Sequence, residues 1–263
     1  MTDRQAVPPD EETPMTDTQA VPPPMTGWQA VAARDNAAWC DLMCRAHGRP
    51  GTFAERAWTN PARTPPFYPD AVTLSPDATA ADVLGRIDAG PGASVKDSFA
   101  TLDLPGFEVL FEARWIHRAA PDRTPTDWAA VEGAATLRDW ARAFGEPGLF
   151  PPALLAEATI VYGRTDGEIT TGAVLTTGAP ATGPAGEPTV SHAGDPGSGP
   201  AVSPAVGVSN VFGPDEDAAW AGALAMAAEL FPGRPLVGYE IDPTTALSHG
   251  FTTTGPLRVW IKP

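Results

Sequence analysis

The chain has 263 residues, of which 31 are proline and 26 are glycine, and its formal net charge is −15. This length supports one large domain or two small ones, and a hydrophobic content of 43% is enough for a sizeable core. The negative charge argues against nucleic acid and anionic membranes as partners, because no cluster of Lys and Arg offsets it. Lys96 and Lys262 are the two lysines, so arginine carries most of the positive charge.

Cysteine content and hydropathy bear on the expected location of the protein in the cell. Cys40 and Cys44 give no disulfide framework. No apolar run reaches the roughly 18 residues that a membrane span needs, and the N-terminus lacks a signal-peptide pattern. We therefore expect a cytoplasmic protein that does not bind membranes. The abundance of Ala, Gly and Pro is typical of a GC-rich bacterial genome.

Two cysteines and a histidine in the first predicted helix are potential ligands for a metal ion. Cys40, Cys44 and His47 fall on one face of the first predicted helix. A structural zinc ion takes four ligands, and a fourth is not apparent near these three. Buried thiols are the preferred interpretation, and we predict no metal.

Two segments have the composition of disordered chain. Residues 1–24 repeat a polar, Pro-rich pattern, MTDRQAVPP and then MTDTQAVPPP, which cannot bury a core. Residues 178–204 contain almost no large apolar side chain and are predicted to form a flexible loop between two strands. The folded part is expected to begin at Met25.

Residues 25–106 are predicted to form a strand-helix-strand extension preceded by a helix. Apolar residues recur at helical spacing from Trp28 to Ala46, and Gly48 provides a stop. Residues 49–70 are rich in Pro and aromatic residues and are expected to be irregular. The remaining elements are a strand at 72–74, a capped helix within 75–92 and a strand at 94–99.

The second part of the chain, from residue 107, shows a clearer alternation of strands and helices. A strong strand covers 107–119 and an amphipathic helix covers 127–145. A hairpin is predicted around Thr-Asp-Gly at 165–167. The other predicted elements are a short helix at 151–158, strands at 204–212, 234–241 and 251–263, and helices at 215–231 and 242–250.

This order of elements over residues 107–263 resembles the GNAT acyltransferase superfamily. The motif PLVGYEI, followed by a short helix and then HGFTTTGPLRVW, is similar to the last third of that family. The resemblance implies an α/β fold (α+β, with a mixed sheet), here carrying the N-terminal strand-helix-strand extension. Residues 25–106 could also form a degenerate half of a second GNAT-like module.

The resemblance also implies a binding site for acetyl-CoA or another acyl-CoA as co-substrate. In the family, the central strand separates from its neighbour, and its backbone binds the pantetheine arm. The following turn and helix N-terminus hold the pyrophosphate. The positions of this sequence that match are Val208, Ser209, Asn210 and Phe212 on the strand, Gly213 in the turn, and Ala219 and Ala221 on the helix.

The acyl-CoA motif is degenerate in this sequence. Glu216 stands where the family has a basic or amide residue, and Ala219 replaces a glycine. Asp215, Glu216 and Asp217 fill the first helical turn, where acidic residues are also ordinary capping residues. If their charge dominates, it repels the pyrophosphate. Ala246 stands where the family has a tyrosine that protonates the leaving thiolate.

Three residues are the catalytic candidates. Tyr239 and Glu240 could supply an acid and a base, although alternation along a strand predicts that at most one of them faces the cleft. Asn210 could orient the thioester carbonyl. The structural alternatives are core packing for Tyr239, a salt bridge for Glu240 and a hydrogen bond to neighbouring backbone for Asn210.

The leading prediction is an N-acyltransferase that moves an acyl group from a thioester to a small-molecule amine. One alternative is a GNAT-like protein that has lost CoA binding and binds a ligand or a partner without catalysis. Another is an acyltransferase whose donor is a carrier protein or an aminoacyl-tRNA, which would not need the pyrophosphate site. The sequence does not determine the acyl group, the amine or the oligomeric state.

Overall fold

The computed structural model describes residues 26–178 and 205–263. The predicted tail at 1–24 and nearly all of the predicted loop at 178–204 lie outside the described residues. The described part contains one mixed sheet of eleven strands with helices on both faces. None of its helices is both long and apolar enough to cross a membrane.

The strands and helices alternate along the chain as an α/β protein does. The strands are β1 (Thr52–Phe53), β2 (Ala57–Thr59), β3 (Ala71–Thr73), β4 (Ser94–Asp97), β5 (Glu108–Arg118), β6 (Ala129–Ala130), β7 (Thr159–Thr165), β8 (Glu168–Thr176), β9 (Val206–Phe212), β10 (Leu236–Glu240) and β11 (Thr252–Ile261). The α-helices are α1 (Thr26–Ala46), α2 (Ala80–Leu84), α3 (Ala134–Phe144), α4 (Glu216–Leu230) and α5 (Thr244–Ser248), and a 3-10 helix covers Pro152–Ala156.

The sheet runs without interruption across residue 106, the predicted limit of the N-terminal extension. Its strand order is β1-β2-β3-β4-β11-β5-β10-β9-β8-β7-β6. The join is the antiparallel pair β4–β11, in register from Ser94↔Ile261 to Asp97↔Arg258. The two parts of the chain therefore share one backbone hydrogen-bond network.

Helix α1 covers one face of the second part of the sheet. Ala32 and Ala33 pack against Trp115 of β5 and Val237 of β10 in one buried cluster. The amide nitrogen of the buried Gln29 side chain donates to the carbonyl oxygens of Ser98, at 2.9 Å, and of Pro256, at 3.1 Å. These small residues and this amide fix α1 across strands that come from both parts of the chain.

Helix α4 covers the opposite face. Nine of its residues are buried, among them Trp220 and Met226. A helix that is apolar on nearly all sides belongs in a core, and α4 packs against Val206, Val208 and Leu236. The central strands β9 and β10 are therefore enclosed between α1 and α4.

A polar cluster around Asp70 holds the loop between β2 and β3. The Asp70 carboxylate, 1% exposed, accepts hydrogen bonds from the backbone N–H groups of Thr64, at 3.0 Å, and Ser94, at 2.9 Å. It also pairs with Arg63 at 2.7 Å. Because Ser94 begins β4, the loop that carries Phe67 and Tyr68 is anchored to the sheet.

Most predicted elements of the second part are confirmed, including the hairpin, whose turn has positive φ at Asp166 and Gly167. The helix predicted at 127–145 is wrong in its first third, because β6 pairs with β7 and α3 begins only after Gly133. The ring of Trp128 occupies the space that a side chain at Gly163 or Gly222 would fill. This packing, between residues far apart in sequence, overrides the helical pattern.

Candidate functional site

The central feature of the site is the early separation of β9 from β10. The two parallel strands pair only at Leu236↔Val206 and Val237↔Gly207. They are still close at Gly238, where an added Cβ would lie 2.7 Å from the carbonyl oxygen of Val208. Beyond this point both strands continue without pairing to each other, so an opening forms between their C-terminal ends.

A β-bulge at Asn210 shapes the β9 side of this opening. The pairing of β8 with β9 shifts between Val174↔Ser209 and Gly172↔Phe212, which leaves an extra residue in β9. Asn210 has a φ of 52°, in the left-handed region that Asn tolerates better than most residues. The left-handed conformation therefore explains why an asparagine stands at this position of an otherwise apolar strand.

A cavity of about 440 Å³ lies at the opening and is large enough for a small-molecule ligand. Both parts of the chain line it. The second part supplies residues of β9 and β10 together with Phe144 and Leu149, and the first part supplies α1, the anchored loop and Lys96 of β4. The aromatic side chains in the lining are Trp39, Phe67, Tyr68, Phe144 and Tyr239.

Tyr239 and Glu240 both line this cavity, so the expectation that at most one of them would do so is wrong. In a continuous sheet, neighbouring residues of a strand point to opposite faces and cannot line one cavity. Here β10 is no longer paired with β9 at Tyr239 and Glu240, so both residues border the opening. The Tyr239 ring is held edge-on to Trp115, with 5.6 Å between ring centroids.

Glu240 is a partly buried carboxylate with a raised pKa. Its burial raises the pKa of the carboxyl group to about 7, and the nearby charges of Glu216 and Asp242 act in the same direction. A base whose pKa is close to neutral accepts and releases protons efficiently at physiological pH. No ion pair within residues 26–178 and 205–263 includes Glu240, so the salt-bridge alternative has no support there.

Ser209 brings an unsatisfied polar atom to the same opening. Its hydroxyl oxygen is buried and has no hydrogen-bond partner in the described part of the chain. Buried hydroxyl groups nearly always have such a partner, and Ser209 lines the cavity. A polar group of a bound ligand would supply the missing hydrogen bond.

The start of α4 is acidic and already capped. The Asp215 side chain accepts a hydrogen bond from the backbone N–H of Ala218 at 3.1 Å, as expected of a helix cap. Asp217 lies 3.0 Å from the His249 ring nitrogen, which ties α4 to the end of α5. Together with Glu216, these carboxylates stand where the resemblance implies a pyrophosphate site.

The predicted acyl-CoA residues divide into two groups. Val208, Ser209 and Asn210 line the cavity, whereas Phe212, Gly213, Ala219 and Ala221 are not part of its lining. The Phe212 ring packs instead against Trp140, with ring centroids 5.2 Å apart. The role of this second group in binding a co-substrate stays a prediction.

Residues 26–106 contribute part of the cavity lining that was not predicted from the sequence. Trp39, Tyr68 and Lys96 all come from this part of the chain and reach the opening through the continuous sheet and α1. Lys96 is one of two lysines in the sequence, but it lies between Val95 and Asp97 on the polar side of an alternating strand, so the pattern does not predict its burial.

Comparison with known proteins identifies the fold. No protein-family model and no curated protein sequence matches the chain. Among solved structures, a GCN5-related N-acetyltransferase from Kribbella flavida superposes with a TM-score of 0.52 and 14% identity, covering 88% of this chain and 95% of that one. The chain has a GNAT-like fold. A structure assigned to the GNAT family from Novosphingobium aromaticivorans is also similar, with a TM-score of 0.48, 14% identity and coverage of 88% of this chain and 99% of that one.

The bulge predicts different effects for two substitutions of Asn210. Asn210→Gly keeps the left-handed conformation without strain, whereas Asn210→Ala keeps a Cβ in it and loses the polar side chain that makes the conformation tolerable, at a cost of about 1 kcal/mol. We expect the Ala variant to melt a few degrees below the Gly variant in thermal unfolding followed by circular dichroism. Equal melting temperatures would contradict the strained conformation.

The raised pKa of Glu240 predicts a pH-dependent gain in stability for Glu240→Gln. Between the ordinary pKa of 4.5 and the folded-state pKa of about 7, the folded protein retains a proton that the unfolded chain has lost. Stability therefore falls as the pH rises through this window, by about 2–3 kcal/mol. Glutamine stays neutral and avoids this loss.

In urea unfolding, we expect Glu240→Gln to be more stable than the unaltered protein at pH 8 and nearly equal to it at pH 5. The exposed Glu229 of α4 provides the matched control, Glu229→Gln, which should show no such divergence. Parallel stability curves for Glu240→Gln and the unaltered protein would contradict the assignment.

Proposed function

We propose that the protein is an N-acyltransferase that moves an acyl group from a thioester to a small-molecule amine bound in the cavity. The proposal is supported by two features that lie at the same cavity, an opening between two strands and a carboxylate with a raised pKa. The opening between β9 and β10 can admit a thioester along the free side of β9, and Glu240, a carboxylate with a pKa of about 7, lines the same cavity.

In this mechanism the amine must first be neutral. Glu240 accepts a proton from the ammonium group, directly or through one water, and the neutral nitrogen attacks the thioester carbonyl carbon. The carbon–nitrogen bond forms, the carbon–sulfur bond breaks, and the thiolate leaves. The attacking nitrogen loses a second proton, which passes through water to the group that has protonated the thiolate. Tyr239 is the candidate proton donor to that thiolate, in place of a tyrosine at the position of Ala246, which is 1% exposed.

Residues of β9 would orient the thioester. The unsatisfied Ser209 hydroxyl group and the Asn210 side chain lie at the bulge, beyond the last pair that β9 forms with β10. Hydrogen bonds from such groups hold the carbonyl carbon in reach of the amine, and positioning of this kind supplies much of the rate in transfers between two bound reactants.

The expected donor, an acyl-CoA, fits the site only in part. Its thioester end suits the opening between the strands, but its pyrophosphate would meet Asp215, Glu216 and Asp217 at the start of α4. Like charges at short distance reduce affinity. We therefore propose a thioester donor that binds mainly through its acyl and pantetheine groups, and weak binding when that donor is acetyl-CoA.

A second candidate function follows from the same acidic turn. A GNAT-like protein that has lost CoA binding would keep the cavity and bind a ligand without turnover. Thiol release from acetyl-CoA, measured with a panel of amines, separates the two functions. Release above background in the presence of an amine supports the transferase, and none across the panel with folded protein supports the binding protein.

The first prediction for the transferase concerns Glu240. Removing a general base lowers kcat/KM by about 100-fold or more, so Glu240→Gln should be slow at every pH. It should also lose the rise in rate around pH 7 that deprotonation of Glu240 causes. Steady-state thiol release between pH 5.5 and 9 measures both effects. Glu229→Gln is the control and should match the unaltered protein, whereas an unchanged profile for Glu240→Gln would exclude Glu240 as the base.

The second prediction concerns the charge at the start of α4. The double variant Asp215→Asn/Glu216→Gln keeps a capping residue and removes two negative charges. We expect it to bind acetyl-CoA at least about 10-fold more tightly in calorimetric titration, because each like charge removed at about 4 Å from a phosphate relieves about 1 kcal/mol of repulsion in water.

The matched control, Asp166→Asn/Glu168→Gln, removes the same charge at the turn between β7 and β8 and should leave binding unchanged. An equal gain in both double variants would assign the effect to net charge alone. Micromolar binding of acetyl-CoA by the unaltered protein would contradict the repulsion.

A further inference from the structure

Lys96 is a buried cation in the wall of the cavity. Its side chain projects from β4 and is 4% exposed, and it lines the same cavity as Glu240. Lysine is almost never fully buried without a partner, because an ammonium group loses its hydration. The partners of this ammonium group therefore decide what the cavity can bind.

Within the described residues, the protein satisfies the Lys96 ammonium group only in part. It donates to the Asn36 side-chain oxygen at 2.8 Å and lies 4.0 Å from the centre of the Tyr239 ring. An ammonium group has three donors, and neither partner carries a negative charge. No carboxylate of residues 26–178 and 205–263 lies within ion-pair distance of it.

The neighbouring carboxylate does not neutralise Lys96. Asp97 accepts hydrogen bonds from the backbone N–H groups of Leu102, at 2.8 Å, and Phe99, at 3.4 Å. These bonds commit its oxygens to the turn after β4.

The remainder of the lining suits an apolar group. Trp39, Phe144 and Leu149 contribute apolar surface to the cavity. Phe67 and Ile241 also line it although they are 77% and 63% exposed, so they present apolar side chains that no other part of the described protein covers. A ligand with a hydrocarbon or aromatic portion would remove this surface from water.

We propose that Lys96 binds a carboxylate of the acceptor, so that the acceptor class is amino acids with an apolar side chain. The carboxylate supplies the charge that the buried ammonium group lacks, the side chain packs on the aromatic wall, and the amine lies toward Glu240. The role of the amine rests on the proposed acyltransferase function, whereas the contact between the carboxylate and Lys96 does not.

Binding of three probes to the unaltered protein tests the carboxylate contact without turnover. The probes are L-phenylalanine, phenethylamine, which lacks the carboxylate, and 3-phenylpropionate, which lacks the amine. In calorimetric titration, we expect L-phenylalanine to bind at least about 10-fold more tightly than phenethylamine, since only L-phenylalanine can form a charge-assisted hydrogen bond with the buried ammonium group. We also expect 3-phenylpropionate to bind measurably. Equal or tighter binding of phenethylamine would overturn the inference.

Lys96→Met tests the residue itself, because methionine keeps the length and removes the charge. We expect this variant to bind L-phenylalanine no better than phenethylamine. Lys262→Met, at the other lysine of the chain, is the control and should keep the preference. The three-probe comparison needs no variant, so it decides the carboxylate contact even if Lys96→Met does not fold.

Thiol release separates failure of this inference from failure of the proposed function. A preference in binding for L-phenylalanine that depends on Lys96, without any release, would reject the transferase and keep the carboxylate site. Equal kcat/KM for L-phenylalanine and phenethylamine would keep the transferase and reject Lys96. A preference for a succinyl over an acetyl thioester, lost in Lys96→Met, would place the carboxylate on the donor and overturn the assignment to the acceptor.

Discussion

The candidate site depends on one constraint: β9 and β10 pair at only two positions, although both strands continue beyond them. Past Gly207 and Val237 the backbone groups of the two strands do not pair with each other, and the bulge at Asn210 lies in this unpaired part of β9. Helices α1 and α4 cover the two strands on opposite faces of the sheet, and the opening lies between the C-terminal ends of these strands.

Each of the two parts of the chain contributes an ionisable side chain to the lining of the cavity. Residues 26–106 contribute a buried cation, Lys96, held by an amide oxygen and an aromatic ring. The second part contributes Glu240, whose pKa is raised by burial and by Glu216 and Asp242. Neither charge is neutralised by the other in an ion pair within the described residues. A molecule that carries both signs of charge suits such a cavity better than one that carries a single sign.

Local signals account for what the sequence predicted well. The turn at Asp166 and Gly167, the junction between β9 and α4, and the helix cap at Asp215 each depend on neighbouring residues, so their patterns are visible in one short segment. Glu240 was a candidate because it ends a strand whose family position is known. It lines the cavity, and its catalytic role stays a prediction. The contribution of Lys96 to the cavity could not be predicted from a short segment of sequence. It depends on the pairing of β4 with β11, which are more than 150 residues apart. The conformation around Trp128 was not predictable for the same reason, because its ring packs against two glycines that are distant in the sequence.

The join between β4 and β11 has a consequence for how the chain can be divided. Strand β11 is ten residues long and is flanked on both sides, by β5 and by β4. A fragment that begins at residue 107 would leave one side of β11, including the backbone around Val259 and Trp260, without a hydrogen-bonding neighbour. Long unpaired strands of this kind associate with other chains. Residues 26–106 therefore protect this edge of β11 from pairing with another chain. A protein that keeps these residues should aggregate less than a fragment that lacks them.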